Sequence, residues 1–377
     1  MAVTARVQTS GVPLTRRLLA ARPVRTAAGA LGIGLALMLI LLLSGLWAGV
    51  QQRVTVYEDH VGADLVVVPA GTESLFADPG ALPAGAVGAA ARTPGVAAAD
   101  PIRTLYLILE LSDGKAAVAA VGSEPRRPGG PWALAAGRRP QTDDEVALDA
   151  VFAREHDLAL GDRVPVLGHQ MRVVALTDDT AMFMTPLLFT TADAMTGMLR
   201  APGTTGSVLV TLSSDADRSA VTSRLTAAGL TVRTPAQLHQ AALTLATRIY
   251  GSPVRLMVGV AFVAGALIVA LVAHTRVTEQ QRDLGVLKAM GAPPGRLRAI
   301  ALGETAALTA LGAVAALLLT GVAGAILAWW WPAFPVAVTI PALAATAAAA
   351  AAMAGVAAWL PARRLARLDP ATVFRSR

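Results

Sequence analysis

The chain has 377 residues, of which 54% are hydrophobic and only 15% charged, and it carries a formal net charge of +7. A soluble domain carries about 25% charged residues, so this balance excludes a single large soluble core and points to membrane spans joined to a water-soluble part. With no cysteine in the chain, disulfides, thiolate zinc sites and thiol nucleophiles are excluded too.

The charge is unevenly placed. Residues 50–253 hold 16 basic and 21 acidic side chains, a net of −5, while the remainder holds 16 basic and 4 acidic, a net of +12. Basic residues beside apolar runs are what the positive-inside rule produces. A nucleic-acid face would put the excess on a folded domain, and no nucleic-acid partner is expected.

In chain order, residues 1–26 form a basic segment with Arg6, Arg16, Arg17, Arg22 and Arg25 and no acid. A charge-free run from Thr26 to Gln52 follows. A membrane helix needs about 20 apolar residues, whereas a signal peptide has a core of about 7–15 and a small-x-small cleavage site. This run is too long and no clear site follows it, so a retained first span is predicted over 27–50.

Residues 51–253 read as an outside domain. "ADLVVVPAG" (63–71) reads as a strand, and "RTLYLILELSDGKAAVAAVG" (103–122) as a hairpin turning at Asp113-Gly114. Residues 162–179 read as a second hairpin around Gly168-His169. Residues 207–234 read as strand, helix, strand, with the helix running from near Ser214 to Gly229. The Ala/Gly/Pro-rich stretch 79–96 reads as a helix with loops. The Pro-, Gly- and charge-rich stretch 124–203 reads as a second lobe inserted into the first. Leu238, Ala241, Leu245 and Ile249 share one face of a helix leading directly into the second span. That helix is either simply packed outside or carries motion of the second span into the outer domain.

The second span is predicted over 254–275, the third over 299–331 with Glu304 as its only charge, and the fourth over 339–360. Between the last two, Pro332 and Pro335 stop the helix, and Trp329, Trp330 and Trp331 suit the headgroup interface. The loop 276–298 and the tail 361–377 are Arg-rich, so both join the N-terminus in the cytoplasm. Four spans with both ends inside are self-consistent, because each crossing changes the side.

No G-x-x-x-x-G-K-[ST], H-E-x-x-H or G-x-S-x-G motif occurs, and the five histidines are scattered. No catalytic residue, metal site or cofactor is therefore expected. Asp143, Asp144 and Glu145 read as a solvated turn, as do Asp178 and Asp179. His156 reads as a helix surface, with pH sensing as the sharper alternative. Glu304 lies six residues after Arg298, roughly 9 Å along a helix, near the cytoplasmic interface. It reads either as a structural ion pair, with an arginine such as Arg363, or as a coupling residue. Gly29, Gly32 and Gly34, and later Gly312, Gly321 and Gly324, allow close helix packing.

The segment "TEQQRDLGVLKAMGAPPGRLRAIALGETAALTALGAVAA" (278–316) resembles the signature loop of the FtsX-like/MacB-type permeases of ABC systems, including DevC-like four-span permeases. Glu279 opens the pattern, and Asp283 to Ala292 complete it, with Asp283 where Glu is more usual and Gln280 where Arg is. The N-terminal "LTRRLLAARPVRTAAGALGIGLAL", the strand "GADLVVVPAG", the lobe 135–176 and the ending "LPARRLARLDPATVFRS" are similar to the family as well.

The resemblance implies a membrane α-helical part of four spans and an extracytoplasmic α+β domain of two lobes, a porter-like lobe with an inserted small β-rich lobe. Residues 1–26 would be a cytoplasmic amphipathic helix ahead of the first span. The loop 276–298 would form a coupling helix docking into a separate ABC ATPase subunit through Glu279, Arg282, Asp283, Leu284, Leu287, Lys288, Met290 and Gly291. The chain would then be no enzyme, and it would need no cofactor. Its expected partners are the ATPase, a second permease chain in a homo- or heterodimer, membrane lipid, and a periplasmic adaptor or extracellular partner. Its expected place is the bacterial plasma membrane. Two functions stay open: export of a lipid, lipoprotein, peptide or hydrophobic compound, and mechanotransmission that activates an extracellular enzyme without transport. An ATP-independent receptor is a third reading, which the loop signature opposes.

Overall fold

The computed structural model describes residues 23–77, 80–83, 85–279, 286, 293–331, 334 and 336–366. In chain order its elements are α1 (Pro23–Val54), α2 (Val56–His60), β1 (Leu65–Val68), β2 (Leu82–Pro83), α3 (Gly85–Ala91), β3 (Val96–Leu111), β4 (Gly114–Ser123), β5 (Leu134–Gly137) and β6 (Glu145–Asp149). There follow α4 (Ala150–Glu155), β7 (Arg163–Val166), β8 (His169–Thr177), β9 (Leu187–Thr191), α5 (Ala192–Met198), β10 (Thr204–Thr205), β11 (Ser207–Leu212), α6 (Arg218–Ala227) and β12 (Thr231–Arg233). The chain ends in α7 (Pro235–Glu279), α8 (Pro294–Trp330) and α9 (Ile340–Ala366). It divides into a helical unit, with described residues 23–49, 252–279, 286, 293–331 and 336–366, and an α/β unit built on 50–251. Both boundaries fall inside helices, at Gly49 in α1 and Gly251 in α7.

In the helical unit, three helices are long and apolar enough to cross a membrane: Pro23–Val54, Pro235–Arg276 and Leu302–Trp330. The described apolar part of α9, Ile340–Val356, is shorter. Ile33, Leu37, Val269, Leu308, Ala350 and Met353 form the buried centre, while Leu35, Leu267, Leu271 and Leu318 point outward and are exposed. An apolar exterior around an apolar centre suits helices whose surroundings are hydrocarbon. Small residues bring the helices together. A Cβ on Gly312 of α8 would stand 2.6 Å from Ile33 of α1, and one on Gly34 would stand 2.9 Å from Ala315. One on Gly265 of α7 would meet Met353 at 2.8 Å. Gly321, by contrast, faces open space, so only part of the glycine pattern serves packing.

The α/β unit is built on a sheet in the order β12-β1-β11-β3-β4-β9-β6-β8-β5, with β7 on β8. The β4–β9 and β6–β8 pairs are parallel and the other pairs antiparallel. The run "LVVV" of β1 shows no alternation because both its faces are covered. Leu65 and Val67 pack with Ala90 of α3 and Val221 and Leu225 of α6. Val66 and Val68 pack with Tyr57 of α2 and Leu238 of α7. A second core, with Leu109, Val146, Leu148, Val173, Leu188 and Met195, lies under α4 and α5. The segment 124–203 thus contributes β5 to β9 to the same sheet as β3 and β4.

The turns lie one residue earlier than the sequence suggests. In β3–β4, Leu111 pairs Gly114, so Ser112 and Asp113 make the turn. In β7–β8, Val166 pairs His169, and Leu167 and Gly168 have φ of 49° and 82°. Two successive positive φ values match the right-handed strand twist of a hairpin, and Leu167 accepts that conformation at a cost. Strand β3 also starts at Val96, since its first half pairs β11 before its second half pairs β4. Helix α6 starts at Arg218, four residues past Ser214, because the Asp217 side chain accepts from the Ser219 N–H and fixes the cap there.

In the acidic cluster, Asp143 and Asp144 stand exposed in a turn as expected, and Glu145 departs from that reading. Glu145 is buried, not solvated: it is paired with Arg138, and Arg172 donates to it at 2.7 Å. The guanidinium of Arg138 holds its carboxyl down at about 2. His156 is likewise no bare surface, since its Nδ1 lies 2.6 Å from Asp113 Oδ2.

Candidate functional site

Helix α7 reaches Glu279, four residues past the end of the apolar run at Thr275, so Arg276 is a helical residue and not the first of a loop. It is 8% exposed. Helix α8 begins at Pro294, which suits the first helical position because its missing N–H has no partner there anyway. Glu304 then lies on the third turn, 4% exposed. Arg276 Nη1 is 3.4 Å from Glu304 Oε1, and Nη2 donates to Thr26 Oγ1 of α1 at 3.1 Å. One guanidinium therefore ties three helices at one end of the helical unit. Desolvating two charges costs several kcal/mol per ion, which their attraction offsets only with further hydrogen bonds; the threonine supplies one.

From the sequence, Glu304 reads either as a structural ion pair, with an arginine such as Arg363, or as a coupling residue. It forms an ion pair with Arg276, while the Arg363 side chain lies outside those described. Neither Arg276 nor Thr26 had a signal of its own. The one available clue was the spacing of Arg276 and Glu304 from the two ends of the loop they flank.

A second pair stands one turn further on. Glu279 meets Arg25 at 3.0 Å. Both side chains are partly exposed, which keeps the net gain to about 1 kcal/mol or less. Of the other residues expected to dock a partner, Arg282, Asp283, Leu284, Leu287, Lys288, Met290 and Gly291 lie outside the described residues. Val286 is helical and exposed.

Apolar helices around a glycine-lined seam, joined to an α/β domain, define a multi-pass membrane protein with a folded domain outside its spans. Residues 26–228 match the family model of the MacB-like periplasmic core domain, and residues 255–370 match that of the FtsX-like permease C-terminal domain. The first match covers more than half of the chain, and the chain belongs to the ABC transporter permeases of the MacB/FtsX type. It is similar to an uncharacterized ABC transporter permease of Mycobacterium tuberculosis, Rv2563, at 29% identity over 90% of this chain and 93% of that one. It is also similar to a second such permease of that organism, Rv0072, at 28% identity over the same shares. Among solved structures it is similar to the periplasmic region of MacB from Actinobacillus actinomycetemcomitans. That likeness has 15% identity and a TM-score of 0.38, over 48% of this chain and 94% of that one. Membership of this family implies an ATPase partner and a permease subunit that is not itself the catalyst.

Proposed function

We propose that this chain relays ATP-driven motion of a separate ATPase through its helices to the outer domain, and so exports a lipid, lipoprotein, peptide or hydrophobic compound. The observation that carries this reading is the Arg276–Glu304–Thr26 cluster. It ties α7 and α8, the helices on either side of the loop 276–298, to α1 through Thr26. Force applied to that loop would move three helices together, a rigid-body mode of switching. The unbroken helix from Pro235 to Glu279 supports the same reading, as do relatives whose names are those of transporter permeases. The residues Glu279, Arg282, Asp283, Leu284, Leu287, Lys288, Met290 and Gly291 would dock the ATPase.

In this reading α9 is a fourth span, since 27 residues extend roughly 40 Å at 1.5 Å per residue. Both termini then lie in the cytoplasm of a cell with this protein in its plasma membrane, and residues 51–253 lie outside. The test is affinity purification from membranes in mild detergent. An ABC ATPase should co-purify in stoichiometric amount with two permease chains, and its absence would overturn the proposal.

A further inference from the structure

The α/β unit contains a cavity of about 300 Å³, at the lower end of the range for small-molecule sites. Its walls are mostly apolar, from Phe76, Met182, Leu245 and Ala246. Two aromatic pairs frame it. Phe76 and Tyr106 have ring centres 5.8 Å apart, and Phe183 and Tyr250 meet edge to face at 5.6 Å. Tyr106, Ile249 and Tyr250 are 50%, 53% and 40% exposed, so the cavity opens to solvent along that rim.

Among the described residues, one carboxylate lines this apolar space. Glu58, on α2, is 4% exposed, and its Oε2 has no hydrogen-bond partner. Its position is imposed by its neighbours. Tyr57 is fully buried and donates to the Gly129 carbonyl at 3.1 Å. Asp59 Oδ1 lies 2.7 Å from His239 Nδ1, and the ring of His60 stacks on Trp132 at 4.6 Å. The nearest arginine in sequence, Arg53, is committed to Asp179 at 2.5 Å. Among the described residues, the ionisable groups around Glu58 are Tyr57 and Asp59 on its own helix, Tyr106 on β3 and Tyr250 on α7. None of these supplies a positive charge. A buried polar atom left unpaired costs about 1–3 kcal/mol, and here contacts to the β4–β5 connection and to α7 hold it in place against that cost.

We infer that this cavity is a binding site for a small apolar compound bearing one cationic amine, whose ammonium is received by Glu58 and whose apolar part lies against Phe76, Met182 and Leu245. A protonated amine satisfies the orphan oxygen with a charge-assisted hydrogen bond. The rings of Tyr106 and Tyr250 add aromatic faces that favour a cation. Burial pushes the Glu58 carboxyl up to about 7, so the empty site is about half ionised near neutrality.

The test uses the full chain in lipid nanodiscs without any ATPase, with phenylbutylamine as probe and phenylbutanol as its neutral counterpart. Calorimetric titration of the wild type is compared with that of Glu58→Gln, which corrects for partition into lipid. The wild type should bind the amine at least tenfold more tightly than the alcohol at pH 8, and Glu58→Gln should lose that preference. Affinity for the amine should fall nearly tenfold from pH 8 to pH 6, as the carboxyl protonates. Ile249→Trp, a change at the exposed rim, should block binding with Glu58 intact, and it serves if Glu58→Gln fails to fold. Equal binding of amine and alcohol by the wild type, or full binding by Ile249→Trp, would overturn the inference. No ATPase takes part, so either result leaves the permease reading to its own test.

Discussion

Arg276 and Glu304 form a buried ion pair, 3.4 Å between Nη1 and Oε1, across two helices that are 28 residues apart in sequence at this point. Breaking a buried pair by removing one partner costs about 3–5 kcal/mol. Glu304→Gln or Arg276→Met alone should therefore lower the melting temperature of the detergent-solubilised protein. The double variant should recover most of the loss, because both charges are then gone. Equal loss in the single and double variants would show that the pair does not act as a unit.

The α1–α8 contact depends on Gly312, where a Cβ would lie 2.6 Å from the Ile33 side chain. Overpacking of this kind costs about 1–3 kcal/mol. Gly312→Val should lower thermal stability by that amount. Gly321→Ala, at a position with nothing within 4 Å, should be neutral or stabilising by up to about 1 kcal/mol from helix propensity. If both substitutions behave alike, close approach at Gly312 does not hold the helices together.

For the proposed ATPase contact, Leu287→Asp with Gly291→Pro removes an apolar anchor and breaks the helix that would carry it. Membrane insertion and yield should stay normal while the ATPase no longer co-purifies. Unchanged co-purification would remove the docking role from this segment.

Glu58 makes stability depend on pH. Its folded value of about 7 stands above the usual 4.5, so between these values the folded protein binds more protons than the unfolded one. The contribution is then full below about pH 4.5 and is lost as pH rises through 7. At 1.36 kcal/mol per unit, the loss is on the order of 3 kcal/mol. Glu58→Gln should be the more stable protein at pH 8 and should close that gap toward pH 5. Thermal unfolding of both proteins in nanodiscs at the two pH values measures this, and parallel pH curves would refute it.

Much of the architecture was legible because its causes are local. Membrane helices announce themselves by apolar length, so the runs beginning at Thr26, Leu256 and after Arg298 stand in α1, α7 and α8. Hairpins announce themselves by period and turn chemistry, and the error at Asp113 and at Gly168 was one residue. The buried face of α7 was read one position early in part: Leu238 is buried as expected, but Ala242 and Ala246 follow it inward while Ile249 stands at a rim. Periodicity supplies a spacing, whereas the exact face depends on what packs against it.

The amino-acid sequence alone determined that this is a membrane protein with an acidic folded domain, and through residues 278–316 it determined the permease family. Both follow from patterns along the chain: apolar length, charge asymmetry and a contiguous motif. Tertiary structure alone decided that Arg276 pairs with Glu304, which glycines touch a neighbouring helix, and that Glu145 is buried between two arginines while Glu58 is buried with none among the described residues. Burial and pairing are properties of what surrounds a side chain, and at these sites the surroundings come from distant parts of the chain. Two glutamates of one chemical kind thus end at opposite extremes, one held near 2 by Arg138 and the other raised to about 7 by burial beside an apolar cavity.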